Sequence, residues 1–335
     1  MIAAYAVLDG FDLGAGIIHL LVARSDLERR LVIRSIGPVW DGNEVWLIAS
    51  GGVLFFAFPN VYAAAFSGFY LPLMIVLWLL ILRGIAIEFR HHVDSLVWQP
   101  FWDVVFSGAS ALLAIFFGAA LGNVVRGVPL DREGFFFLPL WTNLLVGKEV
   151  GILDWYTVMF GLASFFALTV HGALWVAMKT EGALEERCRV VADRTWWAML
   201  GMTVLVVLLS PWVRPHLASG YLGEPWGFAF PLATLAAMVG AKLLNRNSTG
   251  LEALLCSSLY VVGILVSAAF GIYPYLLPSN TDPALALTVS NSAASAYGLR
   301  VGLTWFIPGI LLVAMYFVVV YRNVAGKVHL GDEGH

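Results

Sequence analysis

Nine stretches of about twenty or more apolar residues recur along this chain, near residues 2–23, 36–58, 60–87, 102–124, 154–178, 195–213, 226–244, 251–277 and 299–321. An α-helix crosses the hydrocarbon core of a bilayer with about 20 such residues, so each stretch has the length of one membrane span. Only 12% of residues are charged and 60% are hydrophobic, whereas charge takes about a quarter of an ordinary soluble domain. The expected fold is therefore all-α, a polytopic membrane helical bundle of about nine transmembrane helices forming one integral membrane domain over 1–335. No charged n-region or small-residue cleavage site accompanies the first stretch, so it reads as a retained span. Pro59-Asn60, between the second and third stretches, reads as a tight turn that makes those two an antiparallel hairpin.

The basic residues give the chain a direction. Fourteen Lys and Arg fall after odd-numbered spans or at the C-terminus, against Arg126, Arg132, Lys148, Arg214 and Arg300 on the other side. Positive charge accumulates on the cytoplasmic side, which puts the N-terminus outside and the C-terminus in the cytoplasm. The basic residues are scattered over short loops and form no patch for nucleic acid.

Acids inside apolar runs are costly, and as a rule they face a polar cavity, a partner or a proton path. Asp9 and Asp12 lie three residues apart on the first span, which puts them on one helix face. Asp41 and Glu44 repeat that spacing at the mouth of the second, with Asn43 between them and Trp40 and Trp46 flanking. The first pair fits either a functional site or hydrogen-bonded packing residues. The second fits either a proton-handling site near the cytoplasmic face or an interfacial helix start whose dipole favours anions.

Other residues narrow the chemistry. Ala6, Gly10 and Gly14 on the first span, like Gly118 and Gly122 on the fourth, are spaced by four and mark faces buried against protein. Trp98, Trp102, Trp141, Trp155, Trp196, Trp197, Trp212 and Trp226 read as anchors at the membrane interfaces. His171 is well inside the fifth span and His19 is at the inner end of the first. As lone histidines both read as hydrogen-bonded core residues and not as haem ligands. His91 and His92 read as solvated. Cys188, placed in a charged loop, and Cys256, in an apolar run, form neither a disulfide framework nor a zinc site. Motifs for nucleotide-driven transport, dinucleotide binding and metalloproteolysis are missing from the sequence.

Several motifs in order carry a resemblance. They are Asp9-Gly10-Phe11-Asp12-Leu13-Gly14, the run Gly37 to Trp46, Phe66 to Pro72, Arg83 to Arg90, Trp98 to Asp103, Gly122-Asn123, His171-Gly172-Ala173 with Lys179 to Gly182, and Tyr273 to Ser279. Together they make the chain similar, over nearly its whole length, to subunit II of cytochrome bd-type quinol oxidases. That resemblance implies a heterodimer of two related nine-helix subunits in a bacterial or archaeal cytoplasmic membrane, each built as two four-helix bundles plus a peripheral helix. It implies that the partner, subunit I, holds two b-type haems, haem d and the quinol site, that quinol oxidation there drives reduction of dioxygen to water, and that this chain binds no haem. In some members a structural quinone or a small single-helix accessory subunit joins the complex.

Carried onto this sequence, the resemblance implies a cytoplasmic proton path through Asp41, Glu44, Asp12, Asp9, Trp40 and Asn43, and a dioxygen route near Trp46. It also makes the Ala6, Gly10 and Gly14 face a subunit interface. Two departures stand out: the acidic motif begins only eight residues after Met1, and Gln99 follows Trp98 where the family often has arginine. A positive partner for Asp41 is then expected from elsewhere. A secondary transporter and a purely structural scaffold are the competing classes. The first needs broken helices in matching halves, and Gly51-Gly52 and Pro308-Gly309 do not correspond; the second needs Asp12 and Asp41 to be dispensable.

Overall fold

The computed structural model describes residues 1–147, 150–246 and 250–328. Lys148, one of the five basic residues on the sparser side, lies outside them. Apolar runs and capping residues set thirteen helices in the described residues: α1 (Ile2–Val22), α2 (Asp26–Ile36), α3 (Trp40–Ala57), α4 (Pro59–Gly68), α5 (Tyr70–Phe89), α6 (Trp98–Arg126), α7 (Trp155–Lys179), α8 (Gly182–Val213), α9 (Pro215–Gly223), α10 (Ala229–Leu244), α11 (Leu251–Ile272), α12 (Val289–Ser292) and α13 (Ala296–Asn323). A small antiparallel pair, β1 (Tyr275–Leu277) and β2 (Leu287–Thr288), sits between α11 and α12.

Among the described residues, eight helical segments are long and apolar enough to cross a membrane: α1, α5, α6, α7, α8, Pro225–Leu244, α11 and α13. The remaining expected span, 36–58, is α3, which at 18 residues is too short to offer an apolar stretch of span length that leaves out its polar first turn of Trp40, Asp41, Gly42, Asn43 and Glu44. Three expected boundaries are corrected. The 60–87 span is two helices, α4 and α5, broken at Phe69, and Pro59 is not a turn residue but opens α4, where its missing N–H goes unmissed. The supposed two-residue hairpin turn is thus a ten-residue helix. The 195–213 span belongs to a helix that starts at Gly182, so Cys188 is buried in α8 and not in a loop. The 251–277 span stops at Ile272, since Pro274 cannot continue a helix, and Tyr275–Leu277 is β1.

The long helices form two groups of four. In the first, α1 lies against α3 and α6, and α5 against α6; in the second, α7 lies against α8 and α11, and α10 against α11. Helix α7 joins them, since α1 and α6 both pack on it as well. Helix α13 has no buried residue and stays at the periphery.

Glycines make those joints. A Cβ added at Gly14 would be driven into the backbone of Leu168 and Gly172, and one at Gly172 into Gly14 and Ala15. On the other side of α7, a Cβ at Gly118 would meet Phe160 and Gly161, and one at Gly122 would come within 3.0 Å of the Phe160 side chain. Both small-residue faces are therefore buried, as expected, but within this chain: the α1 stripe is the seam with α7 and not a subunit interface. Trp196 is likewise no interface anchor. It is buried, and its indole N–H donates to Met238 O at 2.8 Å.

Overpacking a well-filled interior costs about 1–3 kcal/mol, and here the clash is with backbone that cannot rotate away. Gly172→Val is expected to lower the thermal stability and yield of the solubilised protein sharply, while Gly52→Ala, which meets nothing within 4 Å, leaves both unchanged. Melting curves of the two variants in the same detergent check this.

Candidate functional site

Three helices and the peripheral one bring their polar residues to a single place inside the first bundle. Asp9 and Asp12 project from the fully buried face of α1, Asn43 and Glu44 come from the first turn of α3, and Arg83 comes from α5. The Arg83 guanidinium spans two carboxyl groups: Nη1 donates to Asp9 Oδ1 at 2.6 Å and Nη2 to Glu44 Oε1 at 2.9 Å. Its side chain and that of Asp9 have no exposed surface, whereas Glu44 keeps 23% of its own. Beside this bridge, Asn43 Nδ2 donates to Asp12 Oδ2 at 2.8 Å and to Leu8 O at 3.3 Å, and its Oδ1 accepts from the Tyr321 hydroxyl of α13 at 2.9 Å.

This group is not saturated. Asp9 Oδ2, Asp12 Oδ1, Arg83 Nε and Trp46 Nε1 are buried with no hydrogen-bond partner among the described residues. Buried polar atoms are nearly always satisfied, by ordered water where protein does not reach them. The arrangement can thus hold water next to carboxyl oxygens in an otherwise apolar interior.

The sequence-derived set divides on this geometry. Asp9, Asp12, Asn43 and Glu44 come together. Asp41 does not join them: it is exposed and makes no hydrogen bond or ion pair among the described residues, so the expected positive partner is not found among them. Trp40 is half-buried with its ring over Gly84 of α5, where an added Cβ would lie 3.4 Å from it. Trp46 packs its ring at a tilt against Phe317, 5.5 Å between ring centres, and lines an apolar cavity of about 230 Å³ with Val45, Phe306 and Val313. Arg83 and Tyr321 were missed. An arginine within the apolar 60–87 run was itself a signal, because a membrane cation requires an acid opposite it; nothing in the sequence pointed to Tyr321.

A second buried cluster ties the Lys/Arg-rich end together. Asp103 of α6 accepts from Arg90 Nε at 2.6 Å and Arg29 Nη1 at 3.0 Å, and lies 2.7 Å from His19 Nε2. Arg90, just past the end of α5, also donates to Asp26 at 2.6 Å. Burial alone would weaken this guanidinium's hold on its proton, but the hydrogen bonds to Asp103 and Asp26 outweigh it and keep Arg90 above its ordinary value. Both ring nitrogens of His171 are engaged within the chain, whereas His19 is engaged only through Nε2 and its Nδ1 is buried without a partner among the described residues. His19 Nε2 faces Asp103, while His171 has Val7 O at 2.9 Å from Nε2 and Ser257 Oγ at 2.7 Å from Nδ1. Among the described residues no three His, Cys, Asp or Glu side chains gather as a metal site.

Comparison with known proteins gives one consistent answer. A family model described as cytochrome bd terminal oxidase subunit II matches residues 1–324. Cytochrome bd-I ubiquinol oxidase subunit 2 of Escherichia coli K12 is 31% identical, over 99% of this chain and 93% of its own length. A probable cytochrome oxidase subunit 2 of Haemophilus influenzae is 30% identical over 98% and 92%, and cytochrome bd ubiquinol oxidase subunit 2 of Bacillus subtilis is 30% identical over 90% and 86%. The fold resembles a chain in the structure of bd oxidase from Geobacillus thermodenitrificans, with a TM-score of 0.72 at 18% identity over 95% of this chain and 93% of that one.

Removing one member of a buried ion pair leaves the other charge uncompensated, at a cost of about 3–5 kcal/mol. Arg83→Leu is therefore expected to lose most folded protein. Arg83→Lys keeps the charge but has no fork to span Asp9 and Glu44, and should melt between wild type and Arg83→Leu. Thermal melts of the three proteins rank them.

Proposed function

The chain belongs to the family of cytochrome bd terminal oxidase subunit II, and from that premise we propose that its buried group of Asp9, Asp12, Asn43, Glu44 and Arg83 carries protons within a quinol:dioxygen oxidoreductase. The protein is a multi-pass membrane subunit of such an enzyme. In the proposed complex it sits in a bacterial or archaeal cytoplasmic membrane against subunit I. That partner supplies two b-type haems, haem d and the quinol site, where electrons from quinol reduce dioxygen to water. This chain completes the complex and conducts protons inward from the cytoplasmic face.

The observation that supports this reading is the gathering of three carboxyl groups near one cation, which bridges Asp9 and Glu44 while Asn43 holds Asp12, with carboxyl oxygens left unpartnered. A guanidinium does not give up its proton, so Arg83 positions Asp9 and Glu44 and is not itself a relay. A proton taken up near the exposed Asp41 and Trp40 would reach the partly exposed Glu44 carboxyl. From there it would pass to Asp9 and Asp12 through water at Asp9 Oδ2 and Asp12 Oδ1, with Asn43 holding the second Asp12 oxygen in place. The apolar cavity beside Trp46 suits dioxygen, which is small and without charge, and is proposed as its route. A structural quinone, membrane lipid and a small single-helix accessory subunit complete the proposed assembly.

In the complex with subunit I, Asp12→Asn is expected to slow quinol-dependent oxygen uptake by about 10²-fold with haem content unchanged, and Asp41→Asn to slow it less. Full oxygen uptake in Asp12→Asn would remove the proton-carrying role; loss of haem instead would make the acid structural. Trp46→Ala should shift the dependence of rate on dioxygen more than its dependence on quinol. Oxygen-dependence curves that overlay wild type would dispose of the gas route.

A further inference from the structure

A cavity of about 560 Å³ opens at the Lys/Arg-rich end of the bundle, where α2 meets the end of α5, and none of its residues belongs to the buried polar group. Its floor is apolar, formed by the buried Ile33 and Ile87. Its walls are mostly basic: Arg30 and Arg34, one turn apart on α2, face His91 and His92, and Glu88 is the one acid among the lining residues.

The charges around it are unequally matched. Arg29, Arg90 and Arg187 at this end each have a carboxylate partner, in Asp103, Asp26 or Glu28. Arg30 makes no hydrogen bond or ion pair among the described residues. Burial, and then the nearness of Arg90 and Arg30, lower the proton affinity of His91, which is what a pocket of positive potential does to an imidazole. An oxyanion in that pocket would reverse the effect.

The surroundings indicate where such an oxyanion comes from. Phe89, Val93, Leu96 and Val97 are exposed beside the cavity, Leu96 almost wholly at 97%. The Trp98 indole donates to Phe89 O at 2.7 Å and ties that apolar loop to the end of α5. Below Glu88 on the same face of α5, at helical spacing, Ile81 and Leu77 are also exposed. A basic pocket thus stands at the head of an apolar stripe that runs down α5 to Leu77. Basic pockets at the ends of transmembrane helices are suited to anionic head groups.

We propose that this cavity binds a phosphate oxyanion between Arg30, Arg34 and the two histidines, and that the head group of an anionic phospholipid supplies it. Planar guanidinium groups match phosphate oxygens through paired N–H donors, and the acyl chains would follow the exposed face of α5.

The test uses the purified complex with subunit I, stripped of lipid in neutral detergent and titrated with phosphatidylglycerol, with phosphatidylcholine and with inorganic phosphate, bound molecules being counted by native mass spectrometry. Wild type should hold phosphatidylglycerol in preference to phosphatidylcholine. At roughly fivefold per basic residue, Arg30→Gln with Arg34→Gln should weaken that binding about 30-fold while the haem spectrum reports an intact complex; Arg30→Lys alone should keep most of it. Inorganic phosphate that binds with the same arginine dependence and displaces the lipid would support the oxyanion site and assign it to soluble phosphate. Equal retention of both lipids, or binding of lipid and phosphate unchanged in the double variant, would overturn the proposal.

Discussion

A guanidinium with no exposed surface must find its counter-charges inside the protein, and Arg83 finds them on two other helices. Because Nη1 takes Asp9 and Nη2 takes Glu44, α1, α3 and α5 are fixed relative to one another by one planar group. The opposite side of α1 is fixed just as narrowly, by Gly14 against Gly172 of α7. Helix α1 is therefore held on one face by a charge that cannot be left alone and on another by backbone contact that admits no side chain. The polar group with its unpartnered oxygens stands between these two constraints, which is why it can stay open without collapsing.

Much of this was legible in the sequence, and the reason is chemical contrast. Acids stand out in apolar runs, so Asp9, Asp12 and Glu44 could be picked out before any contact was known, and glycines at a spacing of four announced close approach. What contrast does not give is the partner. The glycine stripe could have met another subunit or another helix of the same chain, and only the fold assigns it to α7. Arg83 was visible as a cation near the end of a span, where a long side chain could equally have reached out to water; inward, it became the centre of the site. Asp41 errs in the other direction. Its spacing from Glu44 placed the two on one face, yet the start of α3 leaves Asp41 exposed while Asn43, between them, is buried.

Hydropathy located the spans but not their interruptions. The break between α4 and α5 falls within apolar sequence, where mean hydropathy hardly changes, whereas the early start of α8 lies in charged sequence that hydropathy alone reads as a loop. Helix α13 shows the converse. By burial it belongs to the lipid or to a partner, since none of its residues is buried. Yet Tyr321 donates to Asn43, Phe317 packs at a tilt against Trp46, and Lys327 just beyond the helix donates to Thr180 O at 2.6 Å. A helix exposed along its length is thus pinned at a few polar and aromatic points to the group that holds the acids.

The α1–α7 seam also bears on how this chain can vary over generations. Every single-base change in a glycine codon that alters the residue adds at least a Cβ, and at Gly14 and Gly172 that first carbon already collides with the facing backbone. No small intermediate step exists at these two positions, so a lineage can leave them only by moving both helices together. At Gly52 and Gly309, with nothing within 4 Å, the same codon changes are open. Tolerance to mutation in this subunit is therefore set by which surface a glycine faces, and two positions of identical composition have different evolutionary freedom.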